Sequence, residues 1–221
     1  MPPCLEPRLD VLPAAQREIW ARLAVASGLG LVLYGGTAIA LQLGHRESLD
    51  FDFFQSEPLD KDRLRTELGF IAGAAILQDS VDTLVVTAAM PSGAVKLSFF
   101  GSIGFGRVND PVPTCDEVLL VASLDDLMAT KLKATLDRAE AKDYRDIAQM
   151  ISAGVSLSAG LGAFRKMFGG EPSQVLRAIG FFEDGDLDTL SAADRSVLRA
   201  ARDQVEILPD VDLKRGSLTE R

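Results

Sequence analysis

The chain carries a single histidine, His45, which excludes a histidine-rich metal centre and, if it caps the loop beside Arg46 as expected, leaves nothing for a Ser/His/Asp triad. Its two cysteines, Cys4 and Cys115, lie far apart and outside any CxxC or Cys/His cluster. That placement supports neither a zinc site nor a disulfide framework and predicts a reducing, cytoplasmic setting. Basic residues are in the minority, 23 against 32 acidic, for a formal net charge of −9. A protein that grips nucleic acid through bulk positive charge is therefore excluded, and any such contact must be a local patch. The opening MPPCLEPRLD lacks the apolar stretch of a secretory signal and reads as a short surface arm. Charge is also missing from Leu23 to Gly44, a run long enough to cross a bilayer. Gly35-Gly36-Thr37 in its middle reads instead as a break between two short elements.

What is present suffices for a folded core. The 221 residues are 47% hydrophobic and 25% charged, close to the globular average and enough for one domain with an appendage or two small ones. A first helix is expected over Pro13–Ser27, then a buried strand at Leu31–Tyr34, a glycine turn, and a helix Ala38–Leu43 with Thr37 as its N-cap. Leu49-Asp50-Phe51-Asp52-Phe53 alternates apolar and acidic residues, which predicts a strand with one apolar face. Leu59–Leu68 reads as a helix, Thr83–Thr87 and Val95–Phe99 as a hairpin, and Val118–Val121 as a short strand. Helices are expected from Ser123, over Lys142–Ser152, Ala159–Phe168, Pro172–Phe182 and Ser191–Val205, with Pro209–Arg221 frayed. The fold class is α+β: a mixed β-sheet core packed with helices over residues 1–122, followed by a helical C-terminal region over 123–221.

Chemistry concentrates on Asp50 and Asp52. Two apart on a strand, they emerge on one face, as a hard divalent cation such as Mg²⁺ requires of carboxylate ligands shared with substrate phosphates. Without further support they are as readily a pair of solvated aspartates. Just upstream, a strand runs through Gly35-Gly36-Thr37 into a helix, whose N-terminus offers N–H groups and positive dipole to anions. Together the two features read as a triphosphate cradle beside a metal site. Glu183–Asp188 suggests calcium, but the loop lacks the glycine and the bidentate glutamate that an EF-hand needs. Phe53-Phe54, Phe99-Phe100 and Phe181-Phe182 are expected to fill the core. His45 is expected to cap a loop beside Arg46.

The stretch GGTAIALQLGHRESLDFDFF, residues 35–54, resembles the first motif of the AbiEii/AbiGii-type nucleotidyltransferases, toxins of abortive-infection and toxin–antitoxin systems within the polymerase-β-like nucleotidyltransferase superfamily. Lys131-Leu-Lys-Ala-Thr-Leu-Asp-Arg138 resembles that family's KLxALxxR, and Lys142-Asp-Tyr-Arg-Asp146 resembles its RDxxD with lysine in the arginine place. The resemblance implies that Gly35, Gly36, Thr37, Arg46 and Ser48 contact the nucleotide and that Asp50 and Asp52 hold magnesium. It also implies helper roles for Lys96, Lys131 and Asp146. Lys131, Thr135, Arg138 and Lys142 would share one helical stripe by spacing. The implied activity is Mg²⁺-dependent transfer of a nucleotidyl group from an NTP to a hydroxyl of RNA (tRNA-like) or protein, with an antitoxin protein as partner. One departure stands out: the family's second motif is commonly KxD, and here it reads Lys96-Leu97-Ser98. Asp82 or Asp146 would then supply a third acid, or one metal suffices, or the chain is a non-catalytic nucleotide-binding regulator. A partner-binding module is the remaining alternative.

Overall fold

The computed structural model describes residues 4–219; Met1 to Pro3 of the expected arm and the last two residues of the expected frayed tail lie outside them. The chain divides into two compact units that interleave in sequence. One runs through Gly106 and takes up again over Asp110–Ser123 and from Arg215; the other comprises Arg107–Asn109 and Leu124–Lys214.

The first unit is built on a mixed sheet with seven strands among the described residues. They are β1 (Val32–Tyr34), β2 (Asp50–Phe54), β3 (Ala75–Ser80), β4 (Thr83–Met90), β5 (Gly93–Phe100), β6 (Val112–Pro113) and β7 (Leu120–Val121), in the spatial order β3-β4-β5-β2-β1-β7-β6. β2 runs antiparallel to β1 and parallel to β5. Its alternation does what the sequence predicts: Phe51 and Phe53 are fully buried while Asp50, Asp52 and Phe54 share the other face. Phe53 stacks on Phe99 of β5 at 5.5 Å between centroids, and burying each such ring contributes about 1.5–3 kcal/mol. α1 (Ala14–Ile19) runs through a 3₁₀ segment into α2 (Val25–Gly28), matching the expected first helix. α3 (Gly35–Leu43) follows β1 directly and ends at Gly44, whose left-handed conformation caps it. Thr37 is not its N-cap, since the helix begins two residues earlier, at Gly35. α4 (Lys61–Glu67) starts at Asp60, whose side chain accepts from the Arg63 N–H.

The second unit is helical: α5 (Leu124–Asp137), α6 (Ala141–Ser152), α7 (Leu157–Phe168), α8 (Pro172–Ala178) and α9 (Ala192–Asp203). Ser156 and Ser191 cap α7 and α9, accepting from Ala159 and Asp194 N–H groups. No helix among the described residues is long and apolar enough to cross a membrane.

Several expectations are corrected. Cys4 and Cys115 form a disulfide, with Cα atoms 5.0 Å apart. A backbone bridge makes the pairing: Leu5 N–H donates to Pro113 O and Cys115 N–H to Leu5 O, both at 2.8 Å. The cysteine argument for a reducing setting falls with it. The tail is not frayed at Lys214–Thr219. Lys214 exchanges backbone hydrogen bonds with Arg107, and Leu218 is 1% exposed with its N–H on the Ser56 hydroxyl. The stripe of Lys131, Thr135, Arg138 and Lys142 is broken because α5 ends at Asp137 and Lys142 lies on α6. Of the phenylalanine pairs, Phe53, Phe99 and Phe182 are buried, Phe54 and Phe100 are partly exposed, and Phe181 is about half exposed.

Candidate active site

Register assembles the first unit's site. Tyr34 pairs with Asp52, so the residue after it, Gly35, opens α3 beside that carboxylate. Gly35 has φ +72°, and a Cβ there would lie 2.6 Å from Asp52 Oδ2; only glycine combines that backbone with that approach. A Cβ on Gly36 would meet the Arg46 guanidinium and lie 3.2 Å from Ser48 Oγ. The Thr37 hydroxyl, 1% exposed, donates to the Asp50 carbonyl and sits 2.8 Å from the Ser48 hydroxyl. Thr37 and Ser48 thus tie the first turn of α3 to the start of β2. They hold the carboxylate strand and the helix N-terminus together through buried hydroxyls.

On the opposite flank, Asp50 pairs with Lys96 and Asp52 with Ser98 along the parallel β2–β5 ladder. Lys96 Nζ lies 3.2 Å from Asp50 Oδ2, with both side chains about two-fifths exposed. Ser98, where a third acid is expected, is 3% exposed. Asp82 does not replace that acid. It sits in the β3–β4 turn and accepts from the Leu59 N–H at 3.0 Å. That bond and one from Ser102 hold its carboxyl below the ordinary value. Among the described residues no group of three or more histidine, cysteine or acidic side chains is arranged so that it could hold a metal ion. The carboxylates on this face are Asp50 and Asp52, a pair whose oxygens could hold Mg²⁺ only with phosphate oxygens completing the coordination.

Lys131 and Asp146 belong to the second unit, where they meet each other. Lys131 Nζ lies 2.7 Å from both Asp143 Oδ1 and Asp146 Oδ2, and both aspartate side chains are fully buried. Arg138 Nε reaches Asp143 Oδ2 at 2.8 Å. Burial pushes the Asp143 carboxyl up, but the Arg138 hydrogen bond and the Lys131 ammonium outweigh it and hold it below the ordinary value. Sequence reasoning passed over Asp143, although its position on α6, three residues before Asp146, puts both acids on one helix face.

A family model described as nucleotidyl transferase AbiEii toxin, type IV TA system, matches residues 18–214. The chain belongs to the AbiEii family. The match takes in both units, including the α7–α9 region where the motifs gave no guidance. The chain is also similar to an uncharacterized protein of Aquifex aeolicus (strain VF5), 30% identical over 117 residues that cover 52% of this chain. It spans about half, 54%, of that relative's length. Of the stretches that resemble the family's motifs, residues 35–54 run from α3 through β2, and KLKATLDR and KDYRD supply the ion cluster of Lys131, Arg138, Asp143 and Asp146.

Proposed function

We propose that this AbiEii-family chain transfers a nucleotidyl group from an NTP to a hydroxyl of RNA, tRNA-like in form, or of protein, and acts as a growth-inhibiting toxin with an antitoxin protein as partner. The observation that carries the reading is the close approach of the backbone at Gly35, the start of α3, to the Asp52 carboxylate, where a Cβ would have no room, with Asp50 on the same strand face. This sets N–H groups suited to phosphate oxygens directly beside two carboxylates. Asp50 and Asp52 would hold Mg²⁺, which offsets the charge of the phosphates and polarises the α-phosphate. Gly35, Gly36 and Arg46 would hold the triphosphate, Thr37 and Ser48 would fix the turn, and Lys96 would add a positive charge beside Asp50. The acceptor hydroxyl oxygen bonds to the α-phosphorus and its proton passes to solvent, while the bond from the α-phosphorus to the bridging β-phosphate oxygen breaks and pyrophosphate leaves with that electron pair. Catalysis of this kind rests on positioning and electrostatics. For Lys131 and Asp146 the local geometry supports a bracing role, and a catalytic one rests on the family resemblance. A cytoplasmic location, where NTPs are abundant, accords with this function.

Incubating wild-type and Asp50→Asn/Asp52→Asn protein with each α-³²P-labelled NTP, Mg²⁺ and total tRNA tests the reading. Label on RNA or protein with wild type alone is expected. The buried serine at position 98 favours a second reading, nucleotide binding without turnover. It predicts no label with any NTP while nucleotide still raises the melting temperature.

A further inference from the structure

The face of the sheet that carries Asp50 and Asp52 does not stay polar. Two residues beyond Asp52, about 6.5–7 Å along the strand, stands Phe54, and beside it in register is Phe100, two residues beyond Ser98. The Phe54 ring stacks on Tyr34 at 4.8 Å between centroids and 17° between planes. Phe100 meets it edge-on at 5.2 Å and 87°, and Phe105 at 6.0 Å and 65°. Tyr34 is 2% exposed, whereas Phe54, Phe100 and Phe105 all keep part of their surface in solvent. The sheet's other face already has its aromatic core in Phe51, Phe53 and Phe99, so these rings are not needed to fill it.

Their placement is tied to the polar site twice. Tyr34 immediately precedes Gly35, and Phe54 follows Asp52 on the same face. The carboxylates and the helix N-terminus lie at one end of this row and partly exposed rings at the other, one strand step away, the order of a nucleotide from phosphate to base. Resting on the nucleotidyl-transfer reading, we propose that Phe54, Phe100 and Phe105 form the platform on which the nucleobase of the bound NTP stacks. Every base offers a π-face, so the platform supplies affinity and orientation without choosing among the four bases.

The test measures binding of the four NTPs and of inorganic tripolyphosphate, in Mg²⁺, to the wild type, Phe54→Leu and Phe54→Trp. Loss of one stacked base is worth roughly 5- to 150-fold in affinity. Phe54→Leu should lose that factor for NTPs and leave tripolyphosphate binding unchanged, while Phe54→Trp, which keeps a π-face, should stay near wild type. Phe105→Leu, on the loop after β5, gives the same comparison if Phe54→Leu does not fold. NTP affinity within twofold of wild type in the leucine variants overturns the proposal, as does a parallel loss of tripolyphosphate. So does a wild type that binds NTP no more tightly than tripolyphosphate. A wild type that binds neither defeats the nucleotidyl-transfer reading itself, a distinct result.

Discussion

Lys131→Met removes the ammonium that two buried carboxylates share. In the wild type Nζ is 2.7 Å from an oxygen of each, and the side chains of Lys131, Asp143 and Asp146 are 7%, 0% and 0% exposed. Breaking a buried ion pair on one side costs about 3–5 kcal/mol, because the remaining charge is stranded away from water. Asp143 keeps its 2.8 Å contact with Arg138, which offsets part of the cost on that side. For a chain of this size each kcal/mol moves the melting temperature by about 2–4 °C, and the variant should melt roughly 6–20 °C lower. Asp146→Asn added to Lys131→Met should restore part of that loss, since it removes one of the two buried negative charges that the ammonium had offset. Thermal unfolding followed by circular dichroism measures both, with nucleotidyl labelling run in parallel well below the melting range. A Lys131→Met protein that melts within 2 °C of wild type refutes the bracing argument. If it also loses labelling while fully folded, Lys131 acts in the chemistry instead.

Gly35→Ala should cost about 1–3 kcal/mol for its left-handed backbone and displace the Asp52 carboxylate. Labelling should fall more than in Gly36→Ala, where the flexible Arg46 side chain can move aside; equal activity in the two variants counts against the role given to Gly35. Asp143 titrates below 3.8 in the folded protein, so its contribution to stability is complete above that pH and fades as pH falls further, through its folded value. Asp143→Asn should be less stable than wild type at pH 6, with the gap narrowing in acid unfolding below about pH 3.8; a gap independent of pH contradicts the ionised assignment. Reduction of Cys4–Cys115, or Cys4→Ser, should cost about 2–4 kcal/mol by freeing a long loop of the unfolded chain, read as a lower urea midpoint, and an unchanged midpoint opposes it.

The parts of the fold legible in the sequence are those whose pattern reports burial directly. β2 announces itself because Phe51 and Phe53 alternate with Asp50 and Asp52, and the β4–β5 hairpin because apolar runs flank Pro91-Ser92-Gly93. β3 escapes because all six of its residues are exposed, Ile76 and Leu77 among them. Its strand state comes from pairing with β4 alone, through a register shift between Ile76 and Gln78. The disulfide could not be read because it depends on the Leu5–Thr114 bridge, a contact between segments with no local signal. Within the site, the acids and glycines were visible as types. The burial of Thr37 and Ser98 and the gathering of Lys131, Asp143 and Asp146 depend on register and packing that no single segment encodes.

The interleaving of the two units bears on the order in which a ribosome can deliver them. Leu218, buried against the first unit, is made only after Leu124–Lys214, a stretch of 91 residues that belongs to the other unit. At about 5–20 residues per second, translation inserts roughly 5–18 s between the first unit's strands and the segment that finishes its packing. During that interval the carboxylate strand exists on a nascent chain without its last anchor, while the helical unit is still being synthesised.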